Sequence, residues 1–255
     1  GLTPQEIFFY RFLIAYLGIW VISPKRLFTN NWQDELWLVA GGIFGGSLYF
    51  FTENTALGIT QASNVSFIIC TAPLLTTILS LLFYKSEKAS KGLIYGSLLA
   101  LMGVGLIVFN GSFVLKISPI GDLLTLLAAL SWAFYSLIIK KMAGRYPTIF
   151  ITRKIFFYGV LTILPAFLLH PLHPDTAVLL QPAVLFNLLF LAVLASLICY
   201  VLWNVVLKQL GTVRASNYIY LNPLVTMIAS FLILDEKITL VALGGAACIV
   251  CGVYW

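Results

Sequence analysis

The sequence predicts an all-α integral membrane protein, an inverted five-plus-five repeat of transmembrane helices with nine helices visible and the first helix missing. Three observations predict it: a composition too apolar for water, long unbroken apolar runs, and an internal duplication. Of 255 residues, 61% are hydrophobic and 9% charged, against about 45–50% and about 25% in an ordinary soluble domain. Mean hydropathy is +1.01. A water-soluble fold of this size could not cover that apolar surface, so the excess belongs in lipid.

Each span needs about 20 mainly apolar residues, and only helices or closed barrels satisfy the backbone in hydrocarbon. Barrel strands would alternate over roughly ten residues, whereas this chain runs apolar without alternation. Nine helical segments result, at residues 7–22, 36–57, 62–84, 91–109, 121–142, 148–169, 183–208, 215–234 and 238–255. They leave no room for a soluble domain.

The connections carry a sign. Cytoplasmic loops collect Lys and Arg, and every other connection, starting from the first, holds Lys25 and Arg26, then Lys85, Lys88 and Lys91, then Lys140, Lys141 and Arg145, then Lys208 and Arg214. The interleaved connections hold only Lys116 and Lys237. This bias places the protein as a multi-pass protein of the inner (plasma) membrane with its C-terminus in the cytoplasm. Net charge is +6, but the cations form no stripe of the kind nucleic acid needs, so nucleic acid is excluded as a partner.

The duplication is direct. Leu57-Gly58-Ile59-Thr60-Gln61-Ala62-Ser63-Asn64 recurs as Leu210-Gly211-Thr212-Val213-Arg214-Ala215-Ser216-Asn217. Pro73-Leu74-Leu75-Thr76 parallels Pro223-Leu224-Val225-Thr226, Glu87-Lys88 parallels Glu236-Lys237, and Gly96 and Gly103 map to Gly245 and Gly252 at an offset of 149. Pro4 and Arg11 resemble Pro147 and Arg153. Paired segments lie five helices apart, so each pair must cross in opposite directions, as in many secondary transporters. The repeats span residues 1–112 and 113–255. The fifth segment lacks a counterpart, which would precede Gly1, so one further N-terminal helix is expected ahead of this sequence.

These residues resemble a family. Ala-Ser-Asn followed by Pro73 and Glu87, repeated with Pro223 and Glu236 and each followed by a glycine-spaced helix, is similar to the EamA-type domain of the drug/metabolite transporter superfamily. Gly121-Asp122 leading into Ala129-Leu130-Ser131-Trp132-Ala133 resembles the opening of that family's second domain. The resemblance covers essentially the whole chain. It implies a ten-helix secondary transporter that moves small metabolites, commonly outward, with a central cavity that the missing helix would help to line.

Several residues are candidates for substrate binding. Glu53 is the one acid clearly inside an apolar segment, where a charge costs about 2.5–3.5 kcal/mol unless it faces water or a partner. It reads either as a cavity carboxylate for a cation or proton, or as a solvated helix end. Trp132, Tyr135, Trp203 and Asn204 sit well inside their spans, although tryptophan usually prefers the interfaces. Aromatic faces with polar tips suit amphipathic solutes, and helix packing is the plainer alternative. Asn64 precedes Pro73, and Tyr218 and Asn222 precede Pro223. Prolines there free the carbonyls of Ile69 and Ile219 for neighbours or a ligand. Arg11 and Arg153 read as interfacial anchors or gate contacts.

Other chemistry finds little support. Cys70, Cys199, Cys248 and Cys251 all lie in apolar runs and read as packing, including the Cys248/Cys251 pair. His170, His173 and Asp175 read as a plain loop, so no metal or other cofactor is expected. A phosphate-cradling GxxxxGK[ST] loop does not occur, so ATP does not drive transport directly and the partners are a small-molecule substrate, the lipid bilayer, and protons or a counter-solute. The leading expectation is a secondary transporter of small metabolites such as amino acids, exporting by alternating access. An enzyme acting on lipids would need paired acids or a nucleophile with its base. A channel is the other alternative, and counter-exchange would separate it from a carrier.

Overall fold

The computed structural model describes residues 2–24, 28–84, 91–109, 118–169, 172, 176–234 and 238–254. Lys25, Arg26, Lys85, Glu87, Lys88, Lys116, His170, His173, Asp175, Glu236 and Lys237 lie outside the described residues. Among those described, all regular secondary structure is helical. Among the described residues, seven helices are long and apolar enough to cross a membrane: Pro4–Ile22, Ala62–Phe83, Gly92–Phe109, Pro119–Ala143, Thr148–Leu168, Pro182–Leu210 and Thr212–Ile233. A further apolar helix, Leu240–Tyr254, is shorter.

Local chemistry explains where the helices start. Helix α1 (Pro4–Ile22) opens on a capping box in which the Thr3 and Glu6 side chains satisfy each other's backbone amides. Helix α2 (Trp32–Gly42) is capped by Asn31, whose side chain accepts from the Gln33 amide at 3.1 Å. It starts ahead of the expected residue 36 and so takes Asp34 and Glu35 into its first turn, where the helix dipole favours acids. A π-helical turn at Ile43–Ser47 then joins α2 to α3 (Leu48–Ile59).

The third and eighth predicted segments are both interrupted just ahead of their prolines. Helix α4 (Ala62–Ile69) stops at Cys70–Thr71, with the Thr71 hydroxyl donating to the Ile68 carbonyl at 2.7 Å, before α5 (Ala72–Phe83) resumes. Helices α6 (Lys91–Phe109), α7 (Pro119–Ala143), α8 (Thr148–Ile163), α9 (Ala166–Leu169), α10 (Thr176–Leu179) and α11 (Pro182–Leu189) follow. A second π-helical stretch, Phe190–Ile198, leads into α12 (Cys199–Leu210). Gly211 takes a φ of 79°, open to glycine at little cost, and turns the chain into α13 (Thr212–Asn217). A 3₁₀ turn at Tyr218–Leu221 precedes Pro223 and α14 (Asn222–Leu234), and α15 (Leu240–Tyr254) ends the described chain.

Two compact units result. The first comprises Gly1–Phe51 and Phe134–Gln209, the second Thr52–Ala133 and Leu210–Trp255. In the first, α1 packs on α8 around interlocking aromatic rings: Phe12 lies 5.1 Å from Phe156 and 5.6 Å from Tyr200, centroid to centroid. Helix α2 approaches α8 closely because Gly42 has no side chain; a Cβ there would sit 2.5 Å from the Tyr158 Cβ and 2.9 Å from the Gly159 nitrogen.

In the second unit, α6 and α15 cross through reciprocal glycine contacts. A Cβ on Gly103 would lie 2.5 Å from the Gly245 carbonyl, and one on Gly252 would lie 2.4 Å from the Gly96 carbonyl. Rising numbers on α6 meet falling numbers on α15, so the two helices run antiparallel. Around this crossing Cys70, Ala100, Val104, Tyr220 and Ile249 form a buried core. Ser80 and Thr212 join α5 to α13 by a hydroxyl pair at 3.1 Å.

Candidate functional site

In the first unit, two of the residues singled out by sequence meet. Tyr135 on α7 is fully buried, and its hydroxyl donates to Asn204 Oδ1 on α12 at 2.8 Å. The Asn204 amide donates onward to the Thr152 hydroxyl on α8 at 2.9 Å, and Thr152 donates to its own helix at the Thr148 carbonyl. Beside them the Tyr200 hydroxyl donates to the Gly45 carbonyl in the π-turn at 2.6 Å. The Tyr135 ring fills the space that Gly45 leaves, since a Cβ there would lie 2.2 Å from it. Trp203, half-buried, is the neighbour of Asn204 on the same helix.

The other candidates belong to the second unit. Asn64 on α4 is buried, Glu53 on α3 and Trp132 on α7 are half-buried, and Tyr218 and Asn222 are exposed at the two ends of the 3₁₀ turn. Asn217, the repeat counterpart of Asn64, accepts a hydrogen bond from the Ser97 hydroxyl of α6 at 3.2 Å.

A charged cluster in the first unit was not among the sequence candidates. Glu35 and Lys154, 6% and 3% exposed, form a buried ion pair. The Tyr158 hydroxyl donates to the same carboxylate oxygen, while the Thr29 amide and hydroxyl donate to the other at 2.9 and 2.7 Å. Burying the Glu35 carboxylate is costly, and the hydrogen bonds from Lys154, Tyr158 and Thr29 offset that cost. The Lys154 ammonium also faces the rings of Phe28 at 4.8 Å and Tyr158 at 5.3 Å. Next to it, Asp34 pairs with Arg145 and accepts from the Tyr146 hydroxyl at 3.0 Å; Tyr146 in turn accepts from the Asn30 amide at 3.2 Å.

The two arginines differ from each other. Arg153, expected to anchor at an interface, is buried and donates to the Ser23 carbonyl at the end of α1. Its burial follows from α8 packing on α1, which leaves the side chain nearer a helix-end carbonyl than water. Arg11 donates through Nε to the Ser196 hydroxyl in the second π-stretch at 2.8 Å, with its guanidinium 4.7 Å from the Phe50 ring centre. The sequence does hold one sign of the missed cluster: adjacent cations at positions 153 and 154 inside an apolar run need partners, acids or carbonyls, from elsewhere in the chain. Among the described residues, no three His, Cys, Asp or Glu side chains gather as a metal ion would need.

Known proteins resemble this chain along its length. The profile of the EamA-like transporter family matches residues 1–109 and 119–255. An "Uncharacterized transporter" of Archaeoglobus fulgidus is 30% identical, covering 99% of this chain and 87% of its own. A "Probable amino-acid metabolite efflux pump" of Escherichia coli is 24% identical over 95% of this chain and 81% of its own. One solved crystal structure, 18% identical, aligns with a TM-score of 0.80 over 99% of this chain and 86% of its own, a likeness of fold.

Proposed function

Because the chain belongs to the EamA-like transporter family, a family of multi-pass membrane proteins, we propose that it is a secondary transporter exporting small amphipathic metabolites, amino acids or their relatives, across the plasma membrane. The carrier works by alternating access of two inverted repeats, residues 1–112 and 113–255, with the C-terminus in the cytoplasm.

The observation that carries this reading is the reciprocal glycine crossing. Gly96 and Gly103 correspond to Gly245 and Gly252 by sequence, yet Gly103 touches Gly245 and Gly96 touches Gly252. Such an exchange is what a two-fold axis produces at a self-complementary contact, and it supports an inverted rather than a tandem duplication. The two π-helical stretches support the duplication itself. Ile43–Ser47 shifted by the same 149 residues falls inside Phe190–Ile198.

The substrate class rests on chemistry and on kinship. Tyr135, Asn204, Trp132, Trp203, Asn64, Tyr218 and Asn222 offer aromatic faces, amides and hydroxyls rather than a dense charge, and the Escherichia coli relative bears the name of an amino-acid metabolite pump. Glu53 is the group that couples transport to protons or binds a substrate ammonium. Reconstitution into liposomes with a panel of labelled amino acids tests the whole: a pH gradient or an unlabelled solute inside should drive labelled uptake, and Glu53→Gln should abolish its pH dependence. A panel without counterflow for any solute removes the carrier reading. Unchanged pH dependence in the Gln variant removes the role of Glu53 alone.

A further inference from the structure

We infer that Glu35, Lys154 and Tyr158 form a conformational latch that holds the cytoplasmic end of the first unit shut and makes the inward-closed state the resting state of the carrier. The inference rests on the proposed function for its orientation and its two end states. Its physical core lies wholly within the first unit.

Saturation excludes a binding role for the carboxylate. Glu35 accepts from Lys154 and Tyr158 at one oxygen and twice from Thr29 at the other, so it has little capacity left for a ligand. What these bonds do is tie separate stretches of chain at one end of the unit. Glu35 joins α2 to α8 and to the α1–α2 connection, Arg153 fastens α8 to the end of α1, and Tyr146 links the α7–α8 corner to Asn30 and Asp34. Further along α8 the contacts with the same helical run are neutral: the Ser47 and Thr162 hydroxyls at 2.8 Å, and the close approach of Gly42. Charge is concentrated at the end that the Lys and Arg bias assigns to the cytoplasm.

Symmetry then decides what the latch biases. In an inverted repeat the two end states interconvert when the halves exchange conformations, so residues matched between repeats favour both states equally. Only unmatched residues set the balance. The offsets of 142 to 153 that flank positions 34 and 35 carry them to residues 176–188, which hold no acid. The carboxylates are therefore unmatched. Separating the pair would leave a buried charge uncompensated, which is the costly way to break an ion pair. Arg145 with Asp34 adds little, because that arginine is exposed.

Cysteine accessibility tests this without reference to transport. Leu38 is fully buried on α2, three residues from Glu35 on the same face. In a background with Cys70, Cys199, Cys248 and Cys251 replaced, Leu38→Cys in substrate-free membranes should react slowly with a membrane-impermeant maleimide. Adding Glu35→Leu and Lys154→Met together, which leaves neither charge unpaired, should raise the rate at least tenfold, from the cytoplasmic side. The charge swap Glu35→Lys with Lys154→Glu should keep it slow. If the double variant does not fold, Tyr158→Phe, which removes a single donor, should raise the rate about threefold. An unchanged rate in whichever variant folds, or reaction confined to the outer side, overturns the latch. Liposomes that show no counterflow would remove the carrier reading while leaving the accessibility result standing.

Discussion

In the first unit α2 and α8 are joined through Glu35, Lys154 and Tyr158, three polar groups buried together; in the second, α6 and α15 are joined through Gly103 and Gly245, which bring backbone against backbone. Hydrocarbon gives apolar side chains no reason to leave lipid for one another, so helices associate through either polar bonds or close packing of small residues. Both devices occur in both units, but buried charge marks the α2–α8 crossing and reciprocal glycines mark the α6–α15 crossing. The difference teaches that the two crossings should fail differently: the charged one when a partner is removed, the glycine one when an atom is added.

The largest effect is expected at the charged crossing. Lys154→Met leaves Glu35 buried without its cation and should cost about 3–5 kcal/mol of unfolding free energy, read by thermal or denaturant unfolding in detergent. Replacing Glu35 by Leu in the same chain should recover most of that loss. If it does not, the pair does more than neutralise itself.

At the glycine crossing, Gly103→Val places a branched side chain where a Cβ already meets the Gly245 carbonyl at 2.5 Å. The helices must part, at a cost of about 1–3 kcal/mol by the usual scale of overpacking. Gly244, which has open space around its Cβ position, should accept Ala with little change in the same unfolding assay. Equal losses at both positions would show that the crossing is not set by close approach.

The smallest effect is expected where the first unit uses a neutral bond. Tyr135→Phe removes the donor to Asn204 without opening space, and interhelical hydrogen bonds of this kind contribute about 0.6 kcal/mol on average. A loss near that of Lys154→Met would mean that the Tyr135–Asn204–Thr152 chain acts as one unit with the ionic cluster. Measuring both in one protein fixes how far charge, rather than hydrogen bonding, organises this half of the molecule.

Much of the architecture was legible in the chain, and the reasons are local. The helix breaks ahead of Pro73 and Pro223 follow from a missing amide and a ring clash, which any local reading detects. Tyr135 and Asn204 stood out because polar groups deep in an apolar run need partners, and the fold gives them each other. Glu35 was hidden for the opposite reason. It lies just outside the apolar run, so hydropathy assigns it to a loop, while Asn31 starts the helix early and carries it inside. Its pairing with Lys154 spans 119 residues of sequence, and no periodicity encodes such a contact. The π-turn at Ile43–Ser47 left no sign either, since its apolar and small residues would suit an α-helix equally well.

That turn changes the phase of everything beyond it. A π-turn accommodates roughly one surplus residue relative to an α-helix, and each residue swings the helix face by about 100°. The bearing of Tyr49 and Phe50 relative to α2 is therefore set by how Ile43–Ser47 takes up the surplus. Deleting one residue from that turn would restore an uninterrupted α ladder and swing the Phe50 ring away from the Arg11 guanidinium it now faces.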